Sequence, residues 1–198
     1  MKKPDAQRLI EFQKLLLAFS HVERHLKRRH LDTYLHENDT EHSYNLAMTA
    51  WFLCEYFPEL NQHEVIKLAL VHDIVEVHAG DTYIYASPEV IATKQSREKA
   101  ALAQLHKDWQ DFPDMVNHIE NYEYRSTPEA KFVYALDKLM PMMLIYINDG
   151  KTWHEEGITV DQLHTSKENK VALSPEIAPY YYEIREILLK SPHLIAPK

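Results

Sequence analysis

Glycine is scarce, with 3 in 198 residues. That is too few for a Gly-rich dinucleotide fingerprint, a phosphate-cradling P-loop or the many tight turns of an all-β fold, and it points to helices. Cysteine is scarcer still: Cys54 stands alone, so no internal disulfide can form, and a reducing, cytoplasmic setting is expected. Cys54 lies in an apolar run and reads as core. No apolar run approaches the roughly 18–20 residues of a membrane span. Positive charge is in deficit, with 22 Lys and Arg against 30 Asp and Glu for a net −8. That balance repels a polyphosphate backbone. Neither a nucleic-acid polymer nor a membrane is an expected partner, whereas a small anion held by two or three local cations is compatible with this balance.

What is present suggests one domain over residues 1–198, since 45% hydrophobic content over this length supports a single well-buried core. The expected fold class is all-α, a single-domain helical bundle. Residues 1–19 are basic and then apolar, like a signal peptide. However, Asp5, Arg8, Glu11 and Lys14 interrupt the run at helical spacing and no small-residue cleavage site follows. An amphipathic helix over about 5–26 is expected instead, with Leu9, Phe12, Leu16 and Phe19 as its apolar stripe. Residues 27–39 read as polar and irregular. A second helix starts at Asn38-Asp39-Thr40, all N-cap types, and ends before Pro58. A third covers 62–78 and stops at Gly80. Ser87-Pro88-Glu89 opens a fourth, another covers about 114–123, and Thr127-Pro128-Glu129 opens the helix that contains FVYALDKLMPMMLIYI. The stretch 148–170 is either a surface excursion or hides a short helix, and a final helix starts near Pro175.

The third helix carries ionisable residues where a core helix wants leucine. His72 lies one turn from Leu68 and two from Val65, with Asp73 and Glu76 crowding the same sector. Burying a carboxylate without a partner costs several kcal/mol, a large fraction of the stability of a domain. His42 heads an inward stripe with Leu46, Thr49, Leu53 and Phe57, and Asp137 shares a face with Val133, Tyr134, Met140 and Leu144. Two histidines and two aspartates on inward faces suit a divalent metal. Each also has a plain explanation: His42 as a hydrogen-bonded core residue, Asp137 as a surface ion pair with Lys138. Pro141 removes the hydrogen bond that would end on the carbonyl of Asp137.

In its order, His42, then His72-Asp73, then Asp137 is similar to the H…HD…D signature of HD-domain metal-dependent phosphohydrolases. The segments ENDTEHSYNLA, LVHDIVEVHAGDT, REKAAL and EAKFVYALDKL resemble the deoxynucleotidase branch of that family over about residues 20–147. The resemblance implies an HD-type helical bundle with one divalent metal on His42, His72, Asp73 and Asp137. Its identity is open among Mn²⁺, Co²⁺, Mg²⁺, Zn²⁺, Fe²⁺ and Ni²⁺. It also implies that Glu76 orients or deprotonates the attacking water, and that Asp81 of the Gly80-Asp81-Thr82 segment contacts the sugar or leaving group, with Thr82 beside it.

The branch carries an Arg-Trp pair upstream of the first ligand. Here that region reads VERHLKRRH, without Trp, which leaves the nucleobase and sugar preference open. Arg24 is the first choice for the phosphate cation, as in a related subgroup, with Arg28 and Arg29 as alternatives. Lys94 and Arg97, one turn apart, could close over an anionic substrate or form a solvated face.

The expected function is therefore a metal-dependent phosphomonoesterase acting on a small phosphorylated metabolite, with deoxynucleoside 5′-monophosphates first among candidates. The alternatives are an HD hydrolase of another nucleotide or phosphate ester, and a non-catalytic metal-binding regulatory domain. A homodimer would be common for such a fold.

Overall fold

The structure is a computed structural model that describes residues 3–195. The chain runs α1 (Ala6–Ser20), β1 (Glu23–His30), β2 (Thr33–Asn38), α2 (Asp39–Cys54), α3 (Gln62–Val71), α4 (Glu76–Ala79) and α5 (Pro88–Asp108). It continues through α6 (Pro113–Tyr124), α7 (Pro128–Ile147), α8 (Lys151–Glu156), α9 (Val160–Val171) and α10 (Ala178–Leu189) to a 3₁₀ turn at Pro192–Leu194. The architecture is the expected all-α one, apart from one hairpin among the described residues. No helix among the described residues is long and apolar enough to cross a membrane.

α7 is the axis. Phe132, Val133, Ala135, Leu136 and Leu139 are all buried, and a helix apolar around most of its circumference has to be surrounded. α2, α3, α9 and α10 supply the surrounding residues, among them Leu46, Leu68, Leu163 and Tyr181. A second core forms where Leu15 and Phe19 of α1 meet Ile74, Val75, Leu105 and Ile119. The buried stripe of α1 is thus set by Leu15 and Phe19 with Phe12 half-buried, while Leu9, expected inside, is more than half exposed. Phe12 stacks edge-on against Trp109 at 5.4 Å, which sets the helix's rotation. Thr127 accepts a hydrogen bond from the Ala130 amide as N-cap of α7, and Asn38 and Glu41 form a reciprocal capping box on α2.

Three expectations about the elements are corrected. First, the opening helix ends at Ser20, and the residues read as irregular form an antiparallel hairpin, β1–β2. Its two-residue turn, Leu31-Asp32, holds Leu31 at φ +50°, where hairpins usually place Gly or Asn. The free edge of β1 is satisfied by side chains: Thr152 Oγ1 accepts from Lys27 N at 3.0 Å and Asn148 Oδ1 from Arg29 N at 2.5 Å. Second, the helix expected over 62–78 breaks at His72. From there Ile74, Glu76 and Val77 bond three residues back, to Val71, Asp73 and Ile74, in a tightened turn that leads into α4. Third, 148–170 holds two helices, α8 and α9.

Gly150 sits at φ +70° at the start of α8, and a Cβ there would collide with the Leu194 carbonyl. The left-handed conformation alone costs a non-glycine residue about 1–2 kcal/mol, and neither backbone can yield cheaply. Gly150→Ala is expected to lower unfolding stability by at least about 2 kcal/mol, read from the urea midpoint at unchanged slope.

Candidate metal centre and active site

The hairpin, α2, the α3–α4 break and α7 converge on one buried cluster. The register of β1 against β2 slips between Glu23 and Lys27, and this irregularity re-aims Arg24 inward. Arg24 Nη1 donates to Asp39 Oδ1 at 3.0 Å and to Asp73 Oδ2 at 2.7 Å, and its Nε lies 3.5 Å from Glu37 Oε2. Glu37 and Asp39 flank the N-cap of α2 and are both buried. One turn into α2, His42 turns its Nδ1 to Glu37 Oε2 at 3.6 Å and its Nε2 to Asp137 Oδ1 at 2.9 Å.

His72 is fully buried. Its Nδ1 hydrogen-bonds the Ala69 carbonyl at 2.9 Å, so Nδ1 donates to the backbone and Nε2 is the ring nitrogen that faces the cluster. That Nε2 is 3.0 Å from Asp73 Oδ2 and 4.0 Å from Asp137 Oδ1, but it is out of line for a hydrogen bond and has none. The two imidazole rings stand 5.4 Å apart. Asp137 is anchored through its other oxygen, which accepts from Tyr122 Oη at 2.6 Å and Lys138 Nζ at 2.5 Å. Glu76 opens α4 with Oε2 buried and unpaired, and Asp39 Oδ2 is in the same condition.

This donor set fits a divalent cation on three observations. Ligand atoms of His42, His72 and Asp73 lie within 4.8 Å of one another. Three buried polar atoms, Asp39 Oδ2, His72 Nε2 and Glu76 Oε2, have no hydrogen-bond partner, which native structures rarely tolerate without a ligand. The electrostatics also ask for positive charge. Burial, together with the carboxylates of Asp73, Asp39 and Asp81, pushes Glu76 up to about 10. Burial and then Asp73 push Asp39 up to about 7 against the pull of Arg24. Burial works the same way on Asp73, but His72 and Arg24 outweigh it and hold that carboxyl well below the usual range. Imidazole nitrogen with carboxylate oxygen is the donor chemistry of first-row divalent ions, and Glu37 behind His42 and the Ala69 carbonyl behind His72 orient the rings as outer partners do.

The cluster opens on a cavity of about 470 Å³, a usual size for a small-molecule site. Its lining includes the carboxylates of Asp73, Glu76 and Asp81, the lysines Lys94, Lys138, Lys167 and Lys170, and the rings of His25, Tyr83 and Tyr85. His25 and Tyr83 stack with ring centres 3.8 Å apart.

A family model described as HD domain matches residues 21–178. The chain belongs to the HD-domain family. Among curated relatives, this HD domain is 36% identical over 106 residues to "5′-deoxynucleotidase HDDC2" of Danio rerio (52% of this chain, 51% of the relative). It is 33% identical over 108 residues to the protein of the same name from Homo sapiens (52% and 50%). The chain therefore spans about half the length of the curated relatives it matches. A solved structure covers far more: a crystal structure titled a predicted metal-dependent phosphohydrolase, from Magnetospirillum magnetotacticum MS-1, superposes with a TM-score of 0.78 at 27% identity over 96% of both chains.

Of the residues singled out in the sequence, His42, His72, Asp73, Glu76, Asp137 and Arg24 come together in the HD-domain cluster, and Asp81, Thr82 and Lys94 reach the cavity. Lys94 is paired with Glu98 at 3.2 Å. Arg97 is not in the cavity wall: it donates to the Ala79 carbonyl and, at 2.6 Å, to Thr82 Oγ1, bracing the turn that carries Asp81. Arg28 pairs with Glu41 and Arg29 with Asp149, and neither lines the cavity.

Sequence reasoning missed Glu37 and Asp39, although both stand in the ENDTEH segment. Tyr122 carried no signal, and Lys167 and Lys170 lie in the stretch whose helices were not placed.

Proposed function

We propose that the protein is a metal-dependent phosphohydrolase that cleaves a phosphomonoester of a small metabolite, with deoxynucleoside 5′-monophosphates as the first substrates to test. The observation that carries this reading is the His42–His72–Asp73–Asp137 cluster, buried and with His72 Nε2 unpaired, opening on a cavity lined by both carboxylates and lysines. The names of the curated relatives and of the solved neighbour support it. The reading treats the chain as one domain, because α9, beyond the motif region, lines the same cavity as Asp73 and Asp137.

His42, His72, Asp73 and Asp137 would hold the ion. A divalent ion there supplies a lowered water pKa and a polarised phosphoryl oxygen. Glu76, which lines the cavity beside the cluster, takes the proton of the attacking water on Oε2 as the new P–O bond forms. The ester P–O bond breaks opposite, the leaving oxygen takes up a proton from solvent while Glu76 returns its own to solvent, and the products are the alcohol and inorganic phosphate. Arg24 holds Asp73 and Asp39 in place and is itself held by three carboxylates, so in this reading it orders these carboxylates. Asp81, on the turn braced by Arg97, would accept a hydrogen bond from a sugar hydroxyl. The stacked His25–Tyr83 pair offers a flat apolar face to a nucleobase.

The test is to strip the protein with chelator and assay phosphate release from nucleoside monophosphates and other phosphate esters, with Mn²⁺, Co²⁺, Mg²⁺ or Zn²⁺ restored. Release is expected only with added metal, and fastest from a deoxynucleoside 5′-monophosphate. No release from any ester with any metal would favour the non-catalytic reading and overturn this one.

A further inference from the structure

α9 carries a lysine where its packing calls for an apolar residue. Leu163, Lys167 and Val171 follow one another at helical spacing, and all three are buried, Lys167 being 7% exposed. A lysine that merely covers apolar surface extends its ammonium into bulk water. Lys167 is instead buried in the wall of the catalytic cavity, and among the described residues it has no hydrogen bond and no ion pair. Burial, with Lys138 beside it, pulls its pKa down to about 7, the mark of a cation without a counter-charge. A cation held in such a recess without a counter-charge costs the fold free energy.

The other cations of the cavity are engaged. Lys138 Nζ is on Asp137 Oδ2 at 2.5 Å, Lys94 is on Glu98, Arg24 is shared among three carboxylates and Arg125 lies over the Tyr134 ring. Only Lys170, three residues on and half-buried, shares the condition of Lys167 among the described lysines of this cavity. The charges that act on Lys167 include those of Asp137 and Arg24, so this bare positive charge adjoins the candidate metal centre.

We propose that Lys167, supported by Lys170, is the phosphate-binding element of the site: its ammonium takes a non-bridging oxygen of the substrate's phosphoryl group, and the pair makes the cavity prefer dianionic phosphomonoesters to monoanionic diesters. The anion site stands on the geometry of α9, while its use on a substrate rests on the phosphohydrolase reading above.

The test is binding of inorganic phosphate, measured by calorimetry on metal-free and on Mn²⁺-loaded protein, for wild type, Lys167→Met, Lys167→Gln and Lys167→Arg. Wild type is expected to bind phosphate in both forms. The Met and Gln variants are expected to bind about 10- to 100-fold more weakly, the value of a charge-assisted hydrogen bond, with Arg recovering part of the loss. Lys167→Met should also melt at a higher temperature than wild type, because a residue kept for packing would lose stability on replacement, whereas one kept for an anion gains it. In phosphate-release assays KM should rise by the same factor. If the wild type hydrolyses phosphomonoesters while the variants keep its KM and phosphate affinity, this inference fails and the reading of the function survives. If no ester is hydrolysed but phosphate binding still depends on Lys167, the reading of the function fails and the anion site stands. Wild type that binds no phosphate in either form overturns the proposal.

Discussion

Replacing Glu76 with Gln is expected to lower kcat by about 100- to 10 000-fold, the usual contribution of a positioned general base, while leaving Mn²⁺ affinity nearly intact. The side chain is buried at the first residue of α4 with Oε2 unpaired, and three neighbouring carboxylates together with burial disfavour its ionised form. A carboxylate kept in such surroundings for structure alone would be better replaced by its amide, which matches its shape and needs no counter-charge. Glu76→Gln should therefore fold at least as well as wild type, and its defect should lie in turnover. Steady-state phosphate release, paired with calorimetric Mn²⁺ titration of the same preparation, separates the two effects. If the Gln variant turns over normally, Glu76 is not the base. If it loses the metal instead, Glu76 belongs to the ligand set, a possibility its proximity to Asp39 and Asp73 makes concrete.

The placement of these groups was legible in the sequence where periodicity and chemistry disagreed within a regular element. His42 on α2 and Asp137 on α7 each interrupt a buried apolar face, and helical spacing alone turns them inward. At His72 the same reasoning succeeded for the residue and failed for the backbone. Val65, Leu68, Ile74 and Val75 are all buried, so the apolar pattern continues across the break, and nothing in it marks the switch to three-residue hydrogen bonds that delivers Glu76 to the cluster. The hairpin was hidden for a different reason. Its first strand is mostly charged, its turn is Leu-Asp rather than Asn-Gly, and its edge is satisfied by Thr152 and Asn148, far along the chain. α9 reads as polar because the buried face of a twelve-residue helix includes Lys167. In the hairpin and in α9, tertiary partners stabilise what local preference does not.

His72→Ala and Asp137→Ala are each expected to abolish stoichiometric metal binding and, with it, activity. A Lewis-acid ion stabilises the transition state by several kcal/mol, so the rate should fall by about 1000-fold or more. Their effects on the fold should differ, because the two side chains are held differently. His72 gives the protein one hydrogen bond, to the Ala69 carbonyl, and its Nε2 contributes none. Asp137 is the common partner of His42, Tyr122 and Lys138. Its removal leaves a buried hydroxyl without an acceptor and an ammonium without its carboxylate, at about 2–4 kcal/mol. Metal analysis and urea unfolding of the two metal-free variants should therefore show equal loss of the ion and unequal loss of stability, with Asp137→Ala the weaker fold. Full metal occupancy in either variant would remove that residue from the ligand set. In the case of His72, it would leave the unpaired nitrogen at the centre of the cluster without a purpose.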